Sequence, residues 1–276
     1  MTPDVVVDVG NSRVKCAFVW RGKLAGDGFI AGSTDDLAKL AMFFDNLGGK
    51  NRRLQWLVAG VNPVRQAETV AWARGRGDDV TEITSYRQLP ITVAVDFPEK
   101  VGIDRLLGAV AANRLRTPGH AAVTVDVGTA MTINLVDATG VFVGGVIVPG
   151  PRLMANALHD GTAKLPLVDL EFLESAFPGK NTEDAITTGI DFALAGAVQM
   201  YVQRVKGRGN DPEVFLTGGG NDCILTGLTG YERGSLSMQN FLLNNDPPRL
   251  PGLDVVMRWE PNLNLEGLLM TAETLP

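Results

Sequence analysis

Apolar and polar positions fall in short blocks along this chain, and the opening block is the most regular. Residues 4–20 read Asp-Val-Val-Val-Asp-Val-Gly-Asn-Ser-Arg-Val-Lys-Cys-Ala-Phe-Val-Trp. Two β-branched runs flank Gly10-Asn11-Ser12, which predicts a strand, a tight turn and a returning strand. A helix is expected from about Asp35, with Ser33 or Thr34 as its cap. Leu37, Leu40, Ala41 and Phe44 share one face of it, and Gly48-Gly49 close it. Residues 55–61 read as a buried strand, 63–74 as a helix closed by Gly75, and 80–83 as another short strand. Gly102 opens a helix in which Ile103, Leu106, Leu107, Val110 and Ala111 keep helical spacing. It stops before Pro118-Gly119.

The opening pattern then returns. Residues 121–137 read Ala-Ala-Val-Thr-Val-Asp-Val-Gly-Thr-Ala-Met-Thr-Ile-Asn-Leu-Val-Asp, and Asp126 follows Asp8 by 118 positions within the shared Val-Asp-Val-Gly. A strand over 141–148 runs into Pro149-Gly150-Pro151. Helical patterns cover 153–159 and Thr182–Lys206, the latter with Ile186, Ile190, Ala193, Ala197 and Tyr201 expected on its buried face. A short strand over 214–217 leads into Gly218-Gly219-Gly220-Asn221, and residues 229–251 read as a loop-rich insertion. Self-similarity between half-chains marks a duplicated fold. Each half is expected to hold a mixed sheet entered by a hairpin and covered by helices, giving two α/β lobes over 1–118 and 119–276 with a cleft between them.

Composition narrows the function. The 276 residues are 45% hydrophobic and 20% charged, enough for a full core. The longest apolar stretch, near 141–149, is far shorter than the roughly 20 residues of a membrane span. The first residues lack the basic and long apolar regions of a signal peptide, so no export is expected. Cys16 and Cys223 form no CxxC, which suits a reducing, cytoplasmic setting and supports neither a disulfide framework nor a zinc site. A net charge of −6 opposes non-specific binding to nucleic acid, and Arg52-Arg53 and residues 204–208 read as solvated helix ends. With two histidines, His120 and His159, and no HExxH, the chemistry is expected to rest on carboxylates and backbone amides.

Asp8-Val9-Gly10-Asn11-Ser12 and Asp126-Val127-Gly128-Thr129 carry that chemistry. A tight glycine turn points backbone N–H groups outward, and such a nest binds phosphate oxygens. A carboxylate at the end of the preceding strand can hold a hydrated cation that bridges phosphates. Lys15 on the returning strand can reach the same phosphates. One Asp-x-Gly is common in ordinary turns; two copies, one per half, suit a clamp on a single polyphosphate. Residues 217–221 lack the third glycine of the dinucleotide fingerprint, because Cys223 stands there, and no GxxxxGK[ST] occurs. This glycine cluster reads equally as an ordinary loop or as room for a flat adenine.

In order, Asp8-x-Gly-Asn-Ser-x-x-Lys15, Gly102-Ile103-Asp104-Arg105 and Asp126-x-Gly-Thr-Ala-x-Thr132 resemble the motifs of type III pantothenate kinases. So do Gly144-Gly145-x-Ile147-x-Pro149-Gly150, Thr162-Ala163-x-Leu165-Pro166, Asn181-Thr182-x-x-Ala185-Ile186-x-x-Gly189 and Asn262-Leu263-Asn264-Leu265-Glu266-Gly267-Leu268. The resemblance spans residues 8 to 268. It implies the actin-like, hexokinase-like and Hsp70-like ATPase fold, two ribonuclease H-like lobes with ATP in the cleft, and the ATP-dependent phosphorylation of pantothenate that opens coenzyme A synthesis. It makes Asp104 the proton acceptor and Gly102, Ile103, Asp104, Arg105 and Thr182 substrate-binding. It makes Asp8, Val9, Gly10, Asn11, Ser12, Arg13, Val14 and Lys15 the first phosphate loop, with Gly128 and Thr129 also at ATP. Asp126 would hold a monovalent cation, K⁺ or NH₄⁺, beside the Mg²⁺ that accompanies ATP. A homodimer in the cytoplasm, with neither nucleic-acid nor membrane partner, is expected.

The physical reading of Asp104 agrees, because a helix start favours its ionised form. Phosphoryl transfer needs positioning and charge stabilisation more than base strength. Read on spacing alone, Asp104 is a helix-capping aspartate paired with Arg105. Three positions depart from the family pattern: Ser12 keeps the hydroxyl of the usual threonine, Asn134 stands where aspartate is common, and Val95 where an aromatic is common. The rivals are a non-catalytic ATP-binding accessory protein and a kinase of the same fold with another small acceptor. Retention of Asp104 opposes the first, and Gly102-Ile103-Asp104-Arg105 with the C-terminal motif opposes the second.

Overall fold

A computed structural model describes residues 1–26, 30–33, 53–170, 177–220, 228, 249–250 and 252–276. The expected helix after Asp35, Cys223 and most of residues 229–251 lie outside the described residues. The chain divides into two units, Met1–Leu115 with Asn262–Pro276, and Arg116–Pro261. Residues 262–276, expected with the second lobe, therefore belong to the first.

In the first unit, β1 (Val5–Val9) pairs antiparallel with β2 (Arg13–Trp20), and β2 carries β3 (Lys23–Leu24) and β4 (Ile30–Ser33). On its other side β1 pairs parallel with β5 (Gln55–Gly60), which pairs parallel with β6 (Asp79–Ile83). Parallel pairing needs a crossover, and α1 (Pro63–Gly75) supplies it. Asn62 caps α1 by accepting the Arg65 N–H at 3.1 Å, and Pro63 occupies the first turn, where a missing N–H costs nothing. The unbroken valines of β1 are buried because both faces of the sheet are covered, and Val5, Val7, Val9, Trp56 and Val58 form one core. After β7 (Thr92–Val93), α2 (Ile103–Leu115) buries Leu106, Leu107, Val110 and Ala111. The last helix, α5 (Leu263–Ala272), packs on α2 and β1.

The second unit repeats the plan. The strands β8 (Ala121–Val127), β9 (Ala130–Val136) and β10 (Val141–Pro149) form an antiparallel run. On its other edge β8 pairs parallel with β11 (Pro212–Thr217), which pairs parallel with β13 (Val255–Trp259), and β12 (Arg249–Leu250) adds antiparallel to β13. Thus β2-β1-β5-β6 and β9-β8-β11-β13 share one order and one set of directions, the mixed-sheet duplication implied by the repeat. The helices α3 (Pro151–Asp160) and α4 (Thr182–Lys206) belong to this unit. Asn181 caps α4, accepting the Asp184 N–H at 2.8 Å.

The buried face of α4 differs from the expected one. Ile186, Ile190, Leu194, Val198, Val202 and Val205 face the core, while Ala193 is exposed and Ala197 and Tyr201 lie at the margin. Small and aromatic side chains next to the stripe mimic its period, but the larger aliphatic ones remove more apolar area from water and set the rotation. By length and composition α4 could cross a bilayer, the single helix among the described residues that could, and half of that stretch is buried within its unit.

Two carboxyls in these units are shifted from their ordinary values in opposite directions. Burial would push the Asp137 carboxyl up, but hydrogen bonds from the Thr139 hydroxyl and from the N–H groups of Val141, Thr139 and Gly140 outweigh it. They hold it below the ordinary value. The Glu266 carboxyl on α5 is pushed up by burial.

Candidate active site

The first turn is built by ladder and loop together. In β1 and β2, Asp8 stands opposite Lys15 and Val9 opposite Val14, and the Gly10 N–H donates to the Arg13 carbonyl at 2.9 Å. Asn11, Ser12 and Arg13 are exposed at the tip, whereas Asp8 is only 5% exposed. The side-chain amide of Asn264, on α5, donates to Asp8 Oδ2 at 3.2 Å. A Cβ on Gly10 would stand 3.0 Å from the Arg13 carbonyl oxygen, tighter than ordinary packing tolerates.

The second turn is shorter and more open. Asp126 stands opposite Thr132, Val127 opposite Met131, and the Gly128 N–H donates to the Ala130 carbonyl at 3.0 Å. Gly128 and Thr129 are exposed and Asp126 is half-buried. Backbone, not side chain, supports this turn. The Gly150 N–H donates to the Thr129 carbonyl at 3.0 Å and the Gly220 N–H to the Val127 carbonyl at 2.9 Å. Gly218 has φ +97°, and a Cβ there would fall 2.6 Å from Asp126 Oδ1 and 2.5 Å from the Val127 carbonyl. Close approach to β8 therefore accounts for Gly218 and Gly220 without a nucleotide base. Unlike Gly10, Gly128 has room for a Cβ, whose nearest neighbour would be 3.7 Å away.

Asn134, two residues past Thr132, is buried and donates to the hydroxyls of Thr124 at 3.1 Å and Thr132 at 3.4 Å. Its amide is thus a member of the sheet interior, with the Gly145 backbone pressed against it. Among the described residues no group of three or more His, Cys, Asp or Glu side chains forms a metal cluster. Asp126 nevertheless offers hard carboxylate oxygens that can ligate K⁺ or accept hydrogen bonds from NH₄⁺.

Residues 102–105, expected to bind substrate, lie at the start of α2, in the first unit. Asp104 Oδ1 accepts the Arg105 N–H at 2.8 Å, which turns the carboxylate back toward Gly102. A Cβ on Gly102 would lie 2.6 Å from Asp104 Oδ1, so this glycine makes the space the carboxylate occupies. Beside it opens a cavity of about 300 Å³ lined by Gly60, Val61, Ser85, Tyr86, Gly102 and Ile103, among others. Gly60 ends β5, and Thr84 and Ser85 follow β6, so the cavity sits at the carboxyl ends of parallel strands, where open α/β sheets bind ligands. Tyr86 and Ser85 were not singled out from sequence. A Ser-x-x-Gln capping box, with Ser85 accepting the Arg87 N–H at 3.3 Å and Gln88 Oε1 accepting the Ser85 N–H at 3.0 Å, is the signal that marks the turn holding them.

Asp8, Gly10, Lys15, Gly102, Ile103, Asp104 and Arg105 thus share the first unit. Asp126, Gly128, Thr129 and Thr182 belong to the second, with Thr182 exposed in the first turn of α4.

The family model for type III pantothenate kinase matches residues 5–204. The chain is 30% identical over 230 residues to the type III pantothenate kinase of Persephonella marina, covering 80% of this chain and 89% of that one. It is 33% identical over 255 residues to that of Albidiferax ferrireducens, covering 87% and 92%. Among solved structures, a protein described as a Baf family transcriptional activator from Campylobacter jejuni superposes with a TM-score of 0.55 at 15% identity, over 98% of this chain and 97% of that one. MreB 5 of Spiroplasma citri bound to AMPPNP gives 0.52 at 10% identity, over 99% and 97%. These structural likenesses establish the fold.

Proposed function

The chain belongs to the type III pantothenate kinase family, whose members phosphorylate pantothenate for coenzyme A biosynthesis, and from that premise we propose the residues that carry out the transfer here. Asp104 is the proton acceptor for the primary hydroxyl of pantothenate. The observation that carries this reading is the space that Gly102, itself a wall of the 300 Å³ cavity, leaves for the Asp104 carboxylate. Pantothenate occupies that cavity, with Arg105 and the N-terminus of α2 attracting its carboxylate.

As the hydroxyl oxygen bonds to the γ-phosphorus of ATP, the bond from that phosphorus to the β,γ-bridging oxygen breaks. The hydroxyl proton passes to Asp104, and ADP leaves. Backbone N–H groups at Asn11 and Ser12, with Lys15, hold phosphate oxygens, and Thr129 with the open backbone at Gly128 holds others, while the Gly10 and Gly128 N–H groups close their own turns. Asp8 would orient the hydrated Mg²⁺ that accompanies ATP, and Asp126 would hold K⁺ or NH₄⁺, ions that would supply charge neutralisation at the phosphates.

Thr182 contacts substrate in the assembled enzyme. We assign that assembly as a homodimer, because the second unit exposes Val143, Val146 and Ile147 on β10 and Phe192 and Met200 on α4, and we place it in the cytoplasm with the metabolic role of the family. Light scattering on the purified protein tests the dimer. A phosphoryl-transfer assay with pantothenate, sugars and acetate as acceptors tests the substrate: pantothenate alone should turn over. Transfer to a sugar at a comparable rate would reassign the cavity.

A further inference from the structure

The C-terminal motif, residues 262–268, has no part in the chemistry described so far. Its geometry gives it one. Asn264 is 6% exposed and its side chain meets Asp8, 256 positions earlier, with Nδ2 donating to Asp8 Oδ2 at 3.2 Å. The amide must present its nitrogen here, because the carboxylate has only acceptors and Oδ1 in its place would oppose them. On the same helix Gly267 lies against the Leu107 carbonyl so closely that no side chain fits, and a Cβ on Gly108 would stand 3.0 Å from Asn264 Oδ1. Residues 107 and 108 sit one turn along α2 from Asp104. A single helix face therefore touches the strand that carries Asp8 and the helix that carries Asp104.

We infer that Asn264 is a positioning residue for phosphoryl transfer: its amide fixes the Asp8 carboxylate relative to the acceptor helix, and Gly267 and Gly108 hold α5 close enough for it to do so. A buried carboxylate can turn about its own χ2, and any turn short of a half-turn displaces the oxygen that would face the cation. A donated N–H selects one rotation before substrate arrives. Removing such an outer partner of a functional carboxylate costs about 10–100-fold in activity even where every contacting residue is intact. Lys15, opposite Asp8 in the ladder and on the same face of the sheet, is the other charged group that shares this environment.

The inference rests on Asp8 serving the phosphates, and the test separates the two claims. Steady-state kinetics with MgATP and pantothenate, on full-length protein at a temperature where each variant is folded, compare Asn264→Ala with wild type. We expect kcat to fall about 10–100-fold while KM for pantothenate stays within about twofold. An unchanged kcat overturns the positioning role.

Asn264→Leu, close to the native side chain in shape but without the donor, provides a second readout. Calorimetry with a non-hydrolysable ATP analogue, with and without Mg²⁺, should show the Mg²⁺-dependent gain in affinity reduced by about 10–100-fold. An undiminished gain overturns the inference even if the alanine variant fails to fold. Asp8→Asn is measured alongside. If that variant keeps full turnover, the assignment of Asp8 fails and takes the inference with it; if Asp8→Asn is inactive while Asn264→Ala is unimpaired, only the inference fails.

Discussion

The two strand–turn–strand elements share Val-Asp-Val-Gly and the same place in their sheets, yet they hold their turns by opposite means. In the first, Asp8 is buried and meets a side-chain amide from a helix 256 positions away, and Gly10 is hemmed in by its own loop. In the second, Asp126 is half-buried, the tip is exposed, and support comes from the backbones of Gly150, Gly218 and Gly220. A side-chain lock sets the direction of a carboxylate. A glycine-lined approach sets the position of a backbone. Duplicated topology thus carries two kinds of support, and α2, with Asp104 in its first turn, belongs to the unit whose carboxylate is locked.

The sharpest way to break this asymmetry is at the acceptor. Asp104→Asn should lower turnover by roughly 10²–10⁴-fold and leave nucleotide affinity, measured by calorimetry with a non-hydrolysable ATP analogue, nearly unchanged. Retention of more than about a tenth of the rate would remove the base role from the first unit.

Next comes the support of the second turn. Gly218→Ala forces a side chain into a left-handed conformation against Val127 and Asp126, which should cost about 1–3 kcal/mol. Thermal denaturation would read this as a Tm lower by several degrees. An unmoved Tm would show that backbone approach does not set this turn.

The turn glycines themselves separate fold from ligand. Gly128→Ala has room for its methyl, so its Tm should stay put while ATP affinity falls by about tenfold, or ~1.4 kcal/mol. Gly10→Val should lose both stability and affinity. Unaltered ATP affinity in folded Gly128→Ala, read by calorimetry, would take the second turn away from the nucleotide.

A smaller contrast is ionic. Replacing K⁺ by Na⁺ should lower the rate of the wild type, and Asp126→Asn should abolish the difference between the two ions. Equal rates of wild type in both salts would take the cation away from Asp126.

The smallest effects are in the pH dependence of stability, and they have opposite signs. Glu266, raised by burial, binds its proton more tightly folded than unfolded. Its contribution is complete below the unfolded value of about 4.3 and is lost as pH rises through the raised value. Asp137, lowered by its turn hydrogen bonds, contributes above the unfolded value of about 3.9 and loses this as pH falls through the lowered one. Tm measured against pH should therefore flatten on the neutral side in Glu266→Gln and on the acid side in Asp137→Asn. A reversal of either sign would show that the environment of that carboxyl is misread.

Much of the fold was legible because its signals are local. The valine blocks around Gly10 and Gly128 announce the hairpins, Asn62 and Asn181 cap helices where the sequence starts them, and the spacing in residues 103–111 predicts the buried face of α2. The face of α4 was misjudged, since Ala193 and Ala197 keep helical period with Ile186 and Ile190 while the sheet selects Leu194 and Val198. The cavity beside Gly102 was hidden for another reason. Its walls come from the ends of β5 and β6, the turn at Tyr86 and the start of α2, and no spacing within any one of these predicts that they converge.

The sequence by itself determined the elements, the internal repeat, the family and the candidate groups of both turns, because hydrophobic period, turn residues and motif order are properties of neighbouring positions. The tertiary structure alone decided that residues 262–276 complete the first unit, that Asn264 faces Asp8, and that Gly218 stands where only a glycine passes β8. Those facts depend on which surfaces are driven together when apolar area is buried, and burial is indifferent to distance along the chain.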